Sequence, residues 1–251
     1  MLLAQLDQIT IAVVILAFLL AGVSKGFIGF GLPLISIPIA ATVVPVPLAI
    51  ALTAAPILVS NLFQTFHGGR HGAALRRFWP VVVMMVVGVL IGGQVLTRAD
   101  QDTIAVIVGA LLLIFVSTQF FDLRPAIPLS AERRLNPVIG LVSGLLGGVS
   151  SMFGPLAITY LVALRLPKDE FIATIAMFYL VGITTLWSVL IVGRVISSEE
   201  IVASFLACVP LYAGMWFGTW LRGKISQVFF QRALLVALIL ISLNLIRKGL
   251  F

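Results

Sequence analysis

The chain has 251 residues, of which 61% are hydrophobic and only 10% charged, with a net charge of +7 and a mean hydropathy of +1.20. A soluble domain carries charge on about a quarter of its residues. That composition excludes a soluble globular enzyme, a nucleic-acid module and a disordered chain, and it predicts an all-α membrane protein. The single Cys208 excludes an internal disulfide and a Cys-based metal cage. Neither a metal nor a cofactor is expected. In such a protein the positive charge reads as cytoplasmic loop charge and not as a nucleic-acid footprint.

A spanning helix needs about 20 apolar residues. Apolar runs and polar interruptions place helical segments at 8–24, 26–44, 46–66, 78–97 and 102–121, then at 135–148, 150–165, 169–193, 200–221 and 227–247. The runs are continuous and do not alternate with period two, which favours helices over a barrel. The opening MLLAQLDQIT lacks a basic stretch before its apolar run and reads as the start of a first helix, not a signal peptide.

The two sets of five segments resemble each other. A shift of 122 residues places Gly22 on Gly144, Gly26 on Gly148 and Pro33 on Pro155. A shift of 121 places Thr53 on Thr174, and a shift of 126 places Gly88 and Gly92 on Gly214 and Gly218. Recurrence in the same order predicts an internal repeat. Residues 1–121 form the first transmembrane repeat, 122–134 a polar cytoplasmic linker, and 135–251 the second repeat. With 67–77 cytoplasmic and every segment crossing, twelve of the 16 basic residues fall inside and four outside. This puts both termini on the periplasmic side. An odd number of spans per repeat inverts the second relative to the first, the plan of many secondary transporters. The first two segments of each half are broken at Gly and are expected either to cross or to fold as re-entrant hairpins. The GxxxG pairs suit helix contacts within one chain or in a homodimer.

Two stretches could carry chemistry. Gly22 to Pro33 contains Ser24, Lys25, Gly26, Gly29 and Gly31; Gly144 to Pro155 contains Gly148, Ser150, Ser151 and Gly154. Glycine permits positive φ and close approach, and Pro33 and Pro155 suit a first helical turn, so each stretch reads as a helix, a break and a new helix. Backbone N–H groups at the new start favour an anion. The competing explanation is close helix packing through small residues. Lys25 has Gly147 as its counterpart. It is either a ligand for an anion at membrane depth or a cytoplasmic loop charge. A third group is Asn61, Gln64 and His67, spaced by three on one helix face, with interhelical hydrogen bonding as the alternative. His67 is also a candidate proton carrier or gate. The corresponding face of the second half holds Thr174, Tyr179, Thr184 and Thr185, which read as packing. The pair Glu199 and Glu200 reads as a solvated helix cap.

No acidic residue falls in the middle of a segment, and no HExxH or P-loop motif occurs. An enzyme is therefore not expected. The features point to a secondary transporter of a small anion working by alternating access. The alternatives are a passive anion channel and a membrane scaffold without transport.

At the two Gly-rich breaks ending in Pro33 and Pro155, at Thr53 followed by His67 and a short basic loop, and at Pro80 through Gly88 and Gly92, the chain resembles the TauE/SafE family of sulfite exporters and related anion permeases. The resemblance covers nearly the whole chain. The family's glycine triplet before the proline is diluted here, to Gly29-Phe-Gly31-Leu-Pro33 and Ser151-Met-Phe-Gly154-Pro155. The resemblance implies a bacterial inner-membrane carrier exporting sulfite or an organosulfonate.

Overall fold

A computed structural model describes residues 7–29, 31–66, 71–120 and 127–250. Among these residues there are eleven helices and no strand. They are α1 (Gln8–Ile28), α2 (Leu32–Ala40), α3 (Val46–Phe66), α4 (His71–Arg98), α5 (Gln101–Phe120), α6 (Leu129–Ser150), α7 (Gly154–Ala163), α8 (Lys168–Val192), α9 (Ser198–Leu206), α10 (Cys208–Leu221) and α11 (Gln227–Leu250). Six stretches are long and apolar enough to cross a membrane: α1, most of α4, α5 and α8, the α9–α10 run, and α11.

Several boundaries differ from the sequence expectation; α1 runs on to Ile28, and α2 and α7 begin only at Leu32 and Gly154, so both breaks fall a turn later than expected. Helix α4 starts at His71, inside the stretch expected to be a basic loop, and kinks at Phe78 (φ −107°, ψ 17°). Pro80 has no N–H for the Arg76 carbonyl, so the ladder breaks there. Helix α6 starts at Leu129, inside the expected linker, with Glu132 in its first turn. The segment 200–221 is two helices separated at Ala207, because Pro210 cannot donate to the Leu206 carbonyl. Glu200 does cap, in a box with Ser197, but it is buried and not solvated.

The chain divides into two compact units. One comprises Met1–Pro56, Ala99–Phe120 and Arg194–Phe251; the other comprises Ile57–Arg98 and Phe121–Gly193. Each draws on both halves of the sequence.

In the first unit α1 packs on α10 through interlocked glycines. A Cβ at Gly22 or Gly26 would strike the carbonyls of Leu211 or Met215, and one at Gly214 or Gly218 would strike those of Leu19 or Val23. The pairings rise together in number, so the helices run parallel. Small residues let backbones approach where lipid offers no hydrophobic drive for association. Helices α5 and α11 run antiparallel: Gly109 abuts Ser242 and Ile246, while Gly249 abuts Asp102 and Val106. Helix α3 carries Pro56, which leaves the Leu52 carbonyl without its helical donor. The Ser204 hydroxyl donates to that carbonyl (2.9 Å) and accepts from the Ala55 N–H (2.9 Å).

In the second unit α4 and α6 repeat the parallel glycine contact. Gly88 and Gly92 meet the backbone from Leu141 to Gly148, and Gly140, Gly144 and Gly148 meet Val81, Met85 and Val89. Helix α8 packs on α4, with Phe78 edge-on to Phe178 at 6.0 Å. Arg77 ties three helices together, donating to both Glu132 oxygens (2.8 and 2.9 Å) and to Glu170 (2.9 Å). The four GxxxG helices are thus committed to contacts within the chain.

Candidate functional site: two helix breaks

The first break follows from glycine alone. Gly29 closes α1 in the left-handed conformation (φ 93°), its N–H bonded to the Lys25 carbonyl at 2.9 Å, and Gly31 precedes α2 at φ 101°. No atom crowds a Cβ at Gly29, so it is conformation and not space that requires glycine there. Pro33 lies in the first turn of α2, which has no side-chain cap. That turn is buried, as are Gly31 and Pro33. A buried helix start without a cap leaves N–H donors to be satisfied by something else.

Three side chains surround this break. Lys25 lies in the last turn of α1 and is only 5% exposed, so it is not a loop residue at the water surface. Ser24 is fully buried, its hydroxyl has no hydrogen-bond partner, and it is the nearest atom to a Cβ at Gly31. Arg222 caps the opposite pole, donating to the carbonyls of Gly26 (2.6 Å) and Phe27 (2.8 Å) at the C-terminus of α1. A cation there complements the negative end of the helix. Deeper in the same unit, Ser36 on α2 lies 3.3 Å from the buried Thr53 hydroxyl on α3.

The second break lies in the other unit and repeats the first with different residues. Ser151 closes α6 in the left-handed conformation (φ 60°), its N–H bonded to the Gly147 carbonyl at 2.6 Å. Ser150 donates to the Leu146 carbonyl and accepts from the Met152 N–H. Helix α7 then starts at Gly154 with Pro155 in its first turn and, again, no side-chain cap. The Ser151 hydroxyl is buried without a hydrogen-bond partner, and the buried Tyr179 hydroxyl faces the Gly154 backbone N–H with no acceptor for its own proton. A Cβ at Gly154 would collide with the Tyr179 hydroxyl.

The expected residues therefore fall into two groups. Lys25, Gly26, Gly29, Gly31 and Pro33 gather at the first break; Gly148, Ser150, Ser151, Gly154 and Pro155 gather at the second. Gly26 and Gly148 face neighbouring helices and serve close packing. Asn61 is buried on α3, its amide donating to the Ile57 carbonyl one turn back at 2.7 Å. Gln64 lies on α3, but its side chain and the whole of His67 fall outside the described residues. One turn beyond Asn61, Thr65 is buried with no partner for its hydroxyl.

Sequence reasoning passed over Tyr179 and Arg222 as site residues. A polar aromatic in an apolar helix, and a basic residue just after a GxxxG helix, were the available signals. Neither specifies a partner before the helices are packed.

A family model described as "Sulfite exporter TauE/SafE" matches residues 14–245. No curated protein and no solved structure matches the chain.

Proposed function

The chain belongs to the sulfite exporter TauE/SafE family, a family of membrane transporters, and from that premise we propose that it exports sulfite or a short organosulfonate across the bacterial inner membrane by alternating access. The observation that carries this is the pair of helix starts, the buried start of α2 and that of α7 at the buried Gly154, each following a left-handed residue and each lacking a side-chain cap. Inside a bilayer such N–H groups demand partners, and the positive end of a helix suits an anion. Lys25 lies buried at the first of these breaks and, protonated beside a bound anion, supplies it a point charge.

Supporting an inverted repeat, α5 and α11 hold corresponding places in the two halves and run antiparallel. An inverted repeat is the usual scaffold for alternating access. An anion leaving a negative-inside cell gains about 2.3 kcal/mol per charge per 100 mV. Export can therefore run on the membrane potential without a proton-carrying carboxylate. The bias of basic residues toward one side supports termini that face the periplasm.

Purified protein in liposomes loaded with sulfite, methanesulfonate or sulfoacetate is expected to show saturable counterflow of labelled anion. Lys25→Met is expected to raise the apparent KM about 10- to 100-fold at unchanged protein abundance, the loss of an interaction with a charged group. Absence of counterflow from folded, inserted protein rejects a carrier for these anions. Conductance without counterflow identifies a channel instead.

A further inference from the structure

Ser151 is placed where neither folding nor packing calls for it. It holds the left-handed C-cap of α6 (φ 60°), a conformation that glycine adopts freely and that other residues resist. The corresponding cap of α1 is Gly29. The Ser151 side chain is fully buried and its hydroxyl has no hydrogen-bond partner. Two penalties thus fall on one residue, and glycine would relieve both. Strain kept at one residue against a cheaper alternative points to function.

The surroundings of Ser151 supply matching donors. Tyr179 of α8, 4% exposed, turns its hydroxyl oxygen toward the backbone N–H of Gly154, the first residue of α7, while its O–H proton has no acceptor. Only glycine at 154 leaves room for it there. The Tyr179 ring is held edge-on by Phe153 (5.9 Å, 89°). Phe153 in turn fills the spaces left by Gly147 and Gly182. The first turn of α7 adds backbone N–H groups without a side-chain cap.

We propose that the second break is an oxyanion subsite made of uncharged donors: the Ser151 hydroxyl, the Tyr179 hydroxyl and the first-turn amides of α7. Its ligand is the oxygen-bearing group of a sulfite or sulfonate, an assignment that rests on the transport reading above. Directional neutral donors replace the hydration of oxygen atoms and discriminate against a spherical halide. They carry no formal countercharge, so the hold can be released within a transport cycle.

The test uses the full-length protein and the variants Ser151→Gly, Ser151→Ala and Tyr179→Phe. Without ligand, Ser151→Gly is expected to melt at or above the wild-type temperature, since it sheds a strained cap and an unpaired hydroxyl. In sulfite counterflow, Ser151→Gly and Tyr179→Phe are each expected to raise KM about 10- to 100-fold, the loss of one hydrogen bond to a charged group. Chloride is expected to compete poorly. A Ser151→Gly protein that melts several degrees lower, or that keeps the wild-type KM, overturns the subsite. If the wild type shows no counterflow, the transport reading falls on its own, and melting decides the subsite. Sulfite, methanesulfonate, sulfate or phosphate raising the wild-type melting temperature but not that of Ser151→Gly supports it; equal shifts, or none, overturn it.

Discussion

Gly29 and Ser151 stand 122 residues apart and occupy the same backbone position. Each is a left-handed helix cap whose N–H bonds to the carbonyl four residues back, that of Lys25 in one case and Gly147 in the other. The same offset carries Leu32, the start of α2, onto Gly154, the start of α7. The two breaks thus share the conformation of their first residue and their restart, but differ between them, where Gly31 is left-handed (φ 101°) and Phe153 right-handed (φ −70°). The first break has a lysine, Lys25, beside the Ser24 hydroxyl, whereas the second has the hydroxyls of Ser151 and Tyr179.

Ser204→Ala should destabilise the protein by about 2–4 kcal/mol, because it strands both the Leu52 carbonyl and the Ala55 N–H in a buried place. Adding Pro56→Ala restores a helical donor for Leu52 and should recover part of the loss. Melting of the single and double variants in detergent measures the coupling. Additive losses would contradict the bridging role of Ser204.

Gly144→Ala and Gly218→Ala should each cost about 3 kcal/mol or more, since the added methyl meets backbone of a neighbouring helix that cannot move aside. Gly72→Ala, in open space within α4, should be neutral or stabilising by up to about 1 kcal/mol. Folded yield and melting temperature of the three variants provide the comparison.

Arg77→Met should destabilise by about 1–3 kcal/mol, because it leaves the Glu132 carboxylate unpaired in a place that water reaches from the Arg77 side. The double variant Arg77→Met with Glu132→Gln should be closer to wild type than Arg77→Met alone. A double variant no better than the single one would show that Arg77 acts mainly through Glu170.

Arg222→Ala should lower stability by about 2–3 kcal/mol, as two carbonyls at the end of α1 lose charge-assisted donors. Arg222→Lys keeps the charge but cannot reproduce both bonds from one planar group, and should fall between. Because α1 ends at the first break, the transport rate of folded Arg222→Lys should also fall, measured by counterflow at saturating anion.

Much of this was legible in the residues. Continuous apolar runs specify helices because lipid leaves backbone groups no other partners. Pro33 and Pro155 after glycine specify two helix restarts for purely local reasons, and the structure has both. The start of α4 was not legible: His71 to Arg77 looks like a basic loop until Arg77 is seen holding Glu132 and Glu170. Asn61 reads as part of a polar face, yet its amide turns back to Ile57 within its own helix.

What the sequence by itself determined is the solvent, the helices and the places where they break, since each depends on composition or on the φ preferences of nearby glycine and proline. What only the tertiary structure decided is which partners each broken end received. Arg222 lies 195 residues from the carbonyl of Phe27, and Ser204 lies 152 from that of Leu52. No local rule connects such pairs, because the glycine contacts that align the helices depend on backbones meeting in three dimensions. The same holds for Ser151 and Tyr179: serine in a left-handed cap and tyrosine in an apolar helix become a pair of unsatisfied donors only when α6, α7 and α8 are packed.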